Sequence, residues 1–303
     1  MWVMWQITIQ HNFDAHTTDD CNIIGMNSLW IKQLVFQDCL NQLNIKFKQV
    51  FVDCFPSDIP HVDFLPMDIY HHIEVPAGAS FSMTCPYSCP HKYHDAWKTL
   101  IEQYVAAGPI HLSSSPYASP SFIIPKADPT VLPWRVVDYC MLNKITVPDA
   151  FLLPCIDNTL ADCAKGKIWG KIDVTNLFFQ TCVFSEHVKF TATLTPFRLW
   201  KWVLIPMSCC NTPTTHQWHV FLALKDHIGK FCHVYLDDIV IWSQSVKEHK
   251  KNIAAVLNSL HKARLYCSIK KSNLFCSEID FLGHHISPRG IEANSAKVQC
   301  IMN

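Results

Sequence analysis

The chain carries helix-like hydrophobic periods in two places, with strand-like apolar runs between and around them. One predicted helical face is marked by apolar residues of a single stretch, namely Trp97, Leu100, Ile101, Tyr104 and Val105. Gly108 followed by Pro109 predicts where this helix ends. A second face, with lysines opposite it, is formed by Ile253, Val256, Leu257 and Leu260. A further helix is expected after Pro213.

Short apolar runs that are rich in β-branched and aromatic residues predict strands. We place these strands at residues 121–125, 135–139, 168–174, 188–194, 231–243, 274–276 and 280–287. The first two are expected to form a hairpin around a turn at Asp128 and Pro129, and this hairpin carries Lys126 and Arg135. The order of strands and helices predicts an α+β fold rather than a parallel doubly wound sheet.

The run 231–243 holds two adjacent carboxylates, Asp237 and Asp238, between apolar flanks. We interpret it as a hairpin whose tight turn contains both of them. Adjacent aspartates repel each other, and their burial is costly unless solvent or a divalent cation compensates the charge. A surface turn that simply favours Asp is the alternative, although the apolar flanks are unusual beside a solvated turn. A third carboxylate, Asp173, ends another predicted strand.

Composition indicates a folded chain. Of its 303 residues, 49% are hydrophobic and 17% are charged, which allows a buried core and excludes wholesale disorder. No apolar stretch reaches membrane-spanning length and no signal peptide is evident, so we expect a soluble intracellular protein with no membrane partner. The 15 cysteines are then expected to be reduced thiols. A formal net charge of zero does not favour a nucleic-acid partner.

Several motifs, in a fixed order, resemble those of one enzyme family. They are SSSPYASPSFIIPK (113–126), WRVVDY (134–139), KIDVTNLFFQ (171–180), YLDDIVIWS (235–243), ARLYCSIKKSNLF (263–275) and FLGHHISPRGI (281–291). From about Phe55 onward the chain resembles the reverse transcriptases of gypsy-type long-terminal-repeat retrotransposons, most closely the fungal ones. The resemblance implies a right-hand polymerase with fingers and palm over residues 55–303 and a thumb that is essentially missing. Residues 1–54 are a segment of unassigned role.

The resemblance also implies the roles of particular residues. Asp173, Asp237 and Asp238 would bind two Mg²⁺ ions, or Mn²⁺, with the Val174 carbonyl as a further ligand. The resemblance implies that Lys126 and Arg135 contact the triphosphate of the incoming nucleotide. Phe178 would contact the ribose 2′ position. The primer end would be contacted by Leu282, Gly283 and His284. The implied partners are deoxynucleoside triphosphates and an RNA or DNA template with a DNA primer. The implied reaction is RNA-directed DNA synthesis by metal-assisted nucleotidyl transfer.

A cluster of sulfur and imidazole side chains offers a competing interpretation. Cys85, Cys89, His91 and His94 have a spacing that could suit zinc. However, both histidines open the predicted helix at positions where the family usually carries Lys or Arg. Loose motif matches of this kind are mostly false. We therefore disfavour a Cys/His metal-binding module.

The chain departs from the family pattern around residues 195–220. Ser208 stands where the family has glycine, and Cys210, Trp218 and His219 stand where it has arginine. Only four of the 25 basic residues are arginines: Arg135, Arg198, Arg264 and Arg289. Nearly all the departures are single C-to-T or G-to-A codon changes, which favours a decayed copy. The alternative function is therefore a non-catalytic remnant that keeps the fold and at most weak nucleic-acid binding.

Overall fold

The computed structural model describes residues 25–56, 61–65, 69–79, 87–128, 130–150, 153–175 and 177–294, without the side chains of 25–30, 177 and 178. Its helices are α1 (Gly25–Val50), α2 (His94–Ala107), α3 (Cys140–Ile145), α4 (Ile156–Cys163), α5 (Thr212–Leu224) and α6 (Val246–Lys262). Its first strands are β1 (Tyr70–His71), β2 (Ile110–Leu112), β3 (Ser119–Ile124), β4 (Trp134–Val137), β5 (Ile168–Asp173), β6 (Cys182–Val183) and β7 (Thr193–Leu194). The others are β8 (Leu199–Trp202), β9 (Cys232–Tyr235), β10 (Asp238–Ser243), β11 (Asn273–Cys276), β12 (Ile279–Phe281), β13 (His284–Ser287) and β14 (Gly290–Ala293).

Strands β11, β5, β10 and β9, in that spatial order, form what we call the palm sheet. One face of this sheet is covered by α1, α5 and α6. Its core includes Ile172, Val234, Ile239, Leu257 and, from α1, Leu40. Alternate residues of each strand enter this core, and the residues between them point to the opposite face. The described part of residues 1–54 therefore completes the palm core.

The opposite face of the palm sheet carries a second, smaller core. Trp169 of β5 and Val240 of β10 pack there against Leu160 of α4 and Phe281 of β12. Strands β12, β13 and β14 form a three-stranded antiparallel sheet. The turn between β12 and β13 is thereby brought to the face of the palm sheet that carries Asp173, because Asp173 and Trp169 are separated by an even number of strand positions.

Strands β2, β8, β7, β3 and β4, in that spatial order, form what we call the fingers sheet. It is backed by α2, which buries Trp97 and Ile101 against Trp202. The predicted end of α2 is confirmed, because Gly108 adopts a φ of 90° and its N–H bonds the carbonyls of Tyr104 and Val105. Glycine adopts this left-handed conformation without the steric cost that other residues pay.

The α+β prediction is confirmed, and so is the helix over 253–260; the helix expected after Pro213 is present but begins one residue earlier, at Thr212. Helix α6 begins after its N-cap residue Ser245, whose hydroxyl accepts the Glu248 N–H, and the Glu248 carboxylate accepts the N–H of the preceding Gln244. The strand predicted at 188–194 is wrong over most of its length. Val188–Thr191 forms a 3-10 helix, and only Thr193–Leu194 is extended. Among the described residues, no helix is both long and apolar enough to cross a membrane.

Candidate active site

Asp173 and Asp238 face each other across the two central strands of the palm sheet. Strands β5 and β10 are antiparallel, and their register pairs Asp238 with Asp173. Residues opposite each other in such a ladder have Cα atoms about 4.5–5.5 Å apart and side chains on the same face. The Val174 N–H also donates to the Asp237 carbonyl at 3.0 Å. The structure therefore brings Asp173 beside Asp237 and Asp238, as the resemblance implies. The predicted turn is wrong in one detail, because it holds Leu236 and Asp237 while Asp238 begins β10.

The turn that presents Asp237 is held by a buried amide. Tyr235 and Asp238 pair across the turn, and Leu236 takes a φ of 52°, which is unfavourable for a bulky residue. Gln217 of α5 is 1% exposed. Its Nε2 donates to the Val234 carbonyl at 3.1 Å, and its Oε1 accepts the Leu236 N–H at 2.7 Å. The sequence analysis missed Gln217, for which the only signal is a polar residue within an apolar helix.

The carboxylates sit in an environment that disfavours their charge. Burial raises the pKa of Asp173, and Asp238 raises it further, whereas Lys271 acts in the opposite direction. Burial also raises the pKa of Asp237, with added repulsion from Asp173 and Asp238. Clustered carboxylates of this kind favour a nearby cation. The described structure supplies two lysines.

Lys171 and Lys271 each pair with one carboxylate. The Lys171 Nζ lies 2.9 Å from the Asp238 Oδ2, and the Lys271 Nζ lies 3.6 Å from the Asp173 Oδ1. The Lys171 side chain is 27% exposed, whereas that of Lys271 is 72% exposed. Neither lysine was assigned a role from the sequence, although both lie within the motifs quoted above.

The donor chemistry fits a hard divalent cation, because Mg²⁺ prefers carboxylate oxygens. Over the described residues, however, no group of three or more His, Cys, Asp or Glu side chains converges closely enough to hold a metal. In this structure Asp238 is paired with Lys171 and Asp173 is paired with Lys271, so lysines compensate both carboxylates.

The structure describes three of the four residues of the disfavoured zinc cluster. The ring centres of His91 and His94 lie 4.5 Å apart. Cys89, two residues before His91, is partly buried. Cys85 lies outside the described residues. The three described members do not converge into a metal site.

The two basic residues of the fingers hairpin lie on opposite faces of it. The Lys126 Nζ lies 4.4 Å from the centre of the Trp134 ring, which is 56% exposed. Arg135 is only 9% exposed, and its guanidinium lies against the rings of Trp97, Tyr104 and Trp202. Side chains alternate along β4, so Trp134 points outward and its neighbour inward. The prediction that Arg135 contacts a triphosphate is therefore wrong for this structure.

The remaining implied contacts fall at two turns. Phe178 lies in a 3-10 helix, Leu177–Gln180, that follows Asp173, and its side chain is outside the described part of the chain. Leu282 and Gly283 form the turn before β13 with φ values of 49° and 79°, and His284 begins β13. Leu282 and Tyr235 both pack against the second core, on the face of the palm sheet that carries Asp173.

The departures from the family pattern fall in different environments. Ser208 has a φ of 72°, the left-handed conformation that favours glycine. Trp218 is 42% exposed. His219 is 3% exposed, and its ring lies 3.1 Å from the Thr181 hydroxyl. Position 219 is therefore enclosed in the protein, whereas position 218 lies at its surface.

Known proteins resemble this chain in sequence. It is 35% identical over 204 residues to the retrovirus-related Pol polyprotein from transposon opus of Drosophila melanogaster, covering 66% of this chain and 20% of that protein. The polyprotein from transposon gypsy of the same organism is 28% identical over 205 residues, with 66% and 20% covered. The chain thus spans about a fifth of the length of these relatives.

Solved structures share the fold. The foamy viral protease-reverse transcriptase in complex with dsDNA has a TM-score of 0.76 at 21% identity, covering 95% of this chain and 60% of that one. The same protein in complex with an RNA/DNA hybrid has a TM-score of 0.74 at 22% identity, covering 95% and 38%. The family described as reverse transcriptase (RNA-dependent DNA polymerase) matches residues 124–286, the span from the fingers hairpin to β13. With more than half of its residues matched, and with the paired aspartates of the palm sheet inside that span, this chain belongs to the reverse transcriptase family.

Proposed function

We propose that this chain is the reverse transcriptase segment of a gypsy-type retrotransposon polyprotein. It would extend a DNA primer on an RNA or DNA template with deoxynucleoside triphosphates. The observation that supports this most is the pairing of Asp173 with Asp238 beside the turn that carries Asp237. The retrotransposon relatives and the foamy viral fold are consistent with the same assignment.

Each part of the proposed site has a task that its position supports. Asp173, Asp237 and Asp238 would hold divalent cations, Mg²⁺ or Mn²⁺, with the Val174 carbonyl as a further ligand. When bound, such ions activate the primer 3′-hydroxyl and hold the triphosphate. Gln217 fixes the turn that presents Asp237, so that its carboxylate keeps a defined position. Asp238, held by Lys171, completes the acidic cluster.

The substrates would meet this cluster from two sides. Lys126, on the outer face of the fingers hairpin, would neutralise charge on the triphosphate. Leu282, Gly283 and His284 would support the primer end, since their turn packs against the same face as Tyr235. Phe178 would exclude a ribose 2′-hydroxyl. Arg135 has no part in this proposal, because its guanidinium is buried.

Catalysis by this chain is expected to be feeble, and a non-catalytic remnant is the second candidate. Trp134 stands on the outer face of the hairpin where a second cation could have met the triphosphate, and Ser208 holds a glycine-like conformation. A small misplacement of reacting groups, on the order of 1 Å, can cost about 10²-fold in rate. Both features therefore weaken substrate positioning while leaving the carboxylates in place.

A primer-extension assay separates the two candidates. Purified full chain is given an RNA template, a DNA primer and deoxynucleotides with Mg²⁺ and, separately, with Mn²⁺; Asp237→Asn is the matched control. Slow extension that Asp237→Asn abolishes supports the polymerase. Duplex binding, measured by fluorescence anisotropy, without extension supports the remnant. Neither extension nor binding would contradict both.

A further inference from the structure

Helix α6 carries positive charge along the side that faces away from the palm sheet. Its inner side is buried in the palm core through Ile253, Val256, Leu257 and Leu260. Four exposed lysines lie on its outer side, and we call them the basic stripe: Lys247, Lys250, Lys251 and Lys262. With about 3.6 residues per turn and a rise of about 1.5 Å per residue, these positions fall within about a third of the helix circumference and extend over about 22 Å. The basic stripe therefore presents an elongated positive surface to solvent.

The basic stripe is not compensated by ion pairs within the described part of the chain. Its four lysines take part in none of the ion pairs found there. The lysines that do are Lys98, Lys165, Lys171 and Lys271. The single carboxylate of α6, that of Glu248, accepts the Gln244 N–H at the start of the helix. Lys247 and Lys251 stand about one turn apart and repel each other, a repulsion that an anionic partner would relieve.

The loop that follows α5 adds positive charge beside the basic stripe. The His227 Nε2 lies 3.0 Å from the Ser259 hydroxyl, which places this loop alongside the C-terminal half of α6. The loop exposes Lys225 and Lys230 but only one carboxylate, Asp226. The formal net charge of the whole chain is zero, so the surplus around α6 is a local one. A local surplus of one sign attracts ligands of the opposite sign and accelerates their association.

We propose that the basic stripe is a nucleic-acid surface separate from the aspartates, and that it binds the phosphate backbone of RNA or DNA. Phosphates follow each other about 3.4 Å apart along each strand of a duplex, so a stripe of about 22 Å matches about six of them. Lysines bind phosphates as point charges and leave the bases unread, which predicts binding without sequence preference. Nucleic acid is also the polyanion that a reverse transcriptase meets as its template.

The palm sheet separates the basic stripe from the aspartates. Leu257 of α6 packs in the same core as Ile172 and Ile239. The strand neighbours of these isoleucines, Asp173 and Asp238, point to the opposite face of the sheet. A nucleic-acid strand on the basic stripe therefore lies behind the palm sheet, where it cannot present a primer end to the aspartates. The basic stripe would retain nucleic acid without taking part in synthesis, so this inference goes beyond the proposed function.

Duplex binding at several salt concentrations tests the inference. A fluorescein-labelled DNA duplex of about 20 base pairs, which is longer than the basic stripe, is titrated with the full chain, and fluorescence anisotropy gives the affinity. Each phosphate contact made by a cation contributes about 0.9 to the slope of log affinity against log salt. The combined substitutions Lys247→Gln, Lys250→Gln and Lys251→Gln should therefore reduce the magnitude of this slope by about 2–3 and weaken binding at least about tenfold. Addition of Lys262→Gln should reduce the slope by about a further 0.9, because the whole length of the stripe is engaged.

A matched control variant removes the same amount of charge elsewhere. The combined substitutions Lys98→Gln, Lys165→Gln and Lys167→Gln replace three exposed lysines that lie outside α6 and its neighbouring loop, and the net charge falls equally. We expect the slope to change by less than about 1 in this variant, because scattered charges do not follow the phosphate backbone together. Thermal unfolding establishes that each variant is folded, so that a loss of binding is not a loss of structure.

Chemical modification locates the contact on the unmodified chain. Lysines are acetylated with an N-hydroxysuccinimide ester in the presence and absence of the duplex, and mass spectrometry identifies the modified residues. We expect the duplex to prevent acetylation along the basic stripe. Asp237→Asn should show the same protection, because Asp237 lies on the other side of the palm sheet.

The outcomes distinguish this inference from the proposed function. The inference fails if the triple variant of α6 keeps the affinity and the salt slope of the unmodified chain, or if the control variant loses as much. It also fails if the duplex leaves the basic stripe unprotected while polyglutamate protects it, which would indicate an acidic protein partner. A chain that extends no primer but still binds duplex through the stripe would count against the proposed function and support this inference.

Discussion

The guanidinium of Arg135 lies 4.8 Å from the centre of the Trp202 ring, in a pocket that Trp97 and Tyr104 also line. Its Nη2 donates to the Thr193 hydroxyl at 2.7 Å. Its Nε and Nη1 are buried and have no hydrogen-bond partner among the described residues. Burial lowers the pKa of Arg135 to about 10, so the group remains charged at neutral pH. The hairpin therefore buries a cation among aromatic rings and exposes the neighbouring tryptophan.

Exchanging these two neighbours should stabilise the fold and add a cation to the outer face. In the double variant Trp134→Arg/Arg135→Trp, an indole fills the aromatic pocket and an arginine stands beside Lys126. We expect the free energy of unfolding to rise by about 1–3 kcal/mol, because buried unpaired polar groups cost that much. Urea unfolding measures the change. Trp134→Arg alone is the control and should not raise stability. A lower urea midpoint for the exchange would contradict the account of this pocket.

Replacing Ser208 with glycine should relieve backbone strain. Residue 208 has a φ of 72°, and a left-handed conformation costs a non-glycine residue roughly 1–2 kcal/mol. Ser208→Gly should therefore raise the free energy of unfolding by about 1 kcal/mol. Arg198→Gly is the matched control, since Arg198 does not have a positive φ. It should give no gain in thermal unfolding, and equal gains from both variants would disprove the strain argument.

Acid should destabilise the protein through a buried histidine, His249. One His249 ring nitrogen lies 2.9 Å from the Ser243 hydroxyl, and Nε2 lies 2.9 Å from the Leu274 carbonyl. Burial lowers the pKa of His249 to about 4, below the ordinary value of 6.5. The unfolded chain therefore binds the proton first, so this contribution is complete above about pH 6.5 and is lost as the pH falls toward 4.

The size of that effect can be measured by unfolding at several pH values. A single histidine of this kind contributes about 1–3 kcal/mol across the window. His249→Gln should make the free energy of unfolding less dependent on pH between 6.5 and 4. His111→Asn, at an exposed position, should leave the dependence as it was. An unchanged slope in His249→Gln would remove His249 from the acid response.

Removing the Gln217 amide should loosen the turn that carries Asp237. Gln217→Leu leaves the Val234 carbonyl and the Leu236 N–H without their side-chain partner in a buried setting. We expect a loss of about 1–3 kcal/mol in the free energy of unfolding. Mn²⁺ affinity should also fall, because Leu236 is held at a φ that its side chain disfavours. Gln217→Glu keeps the acceptor for Leu236 and should lose less. Unaltered stability and Mn²⁺ binding in Gln217→Leu would argue against this role.

The sequence by itself determined the features that depend on neighbours along the chain. The helical spacing of Trp97, Leu100 and Ile101 predicted the position of α2, and Gly108 predicted its end. Helix spacing and helix ends both depend on residues that are close along the chain. The hairpin around the two carboxylates followed from their position between apolar strands, but its turn holds only Leu236 and Asp237, because Asp238 begins β10 and pairs with Tyr235. Residues 188–194 were misjudged because an apolar run does not distinguish a strand from a short 3-10 helix.

Tertiary structure decided which residues meet and which face each strand buries. Alternation along β4 predicts that Trp134 and Arg135 point to opposite sides, but only the position of α2 determines that the arginine side is the core. Three features depend on how distant segments align: the pairing of Asp173 with Asp238, the contact of Lys171 with Asp238, and the hydrogen bonds from Gln217 to the turn. Register is fixed by the packing of the whole sheet, and a shift of one residue would turn every side chain of a strand to the other face.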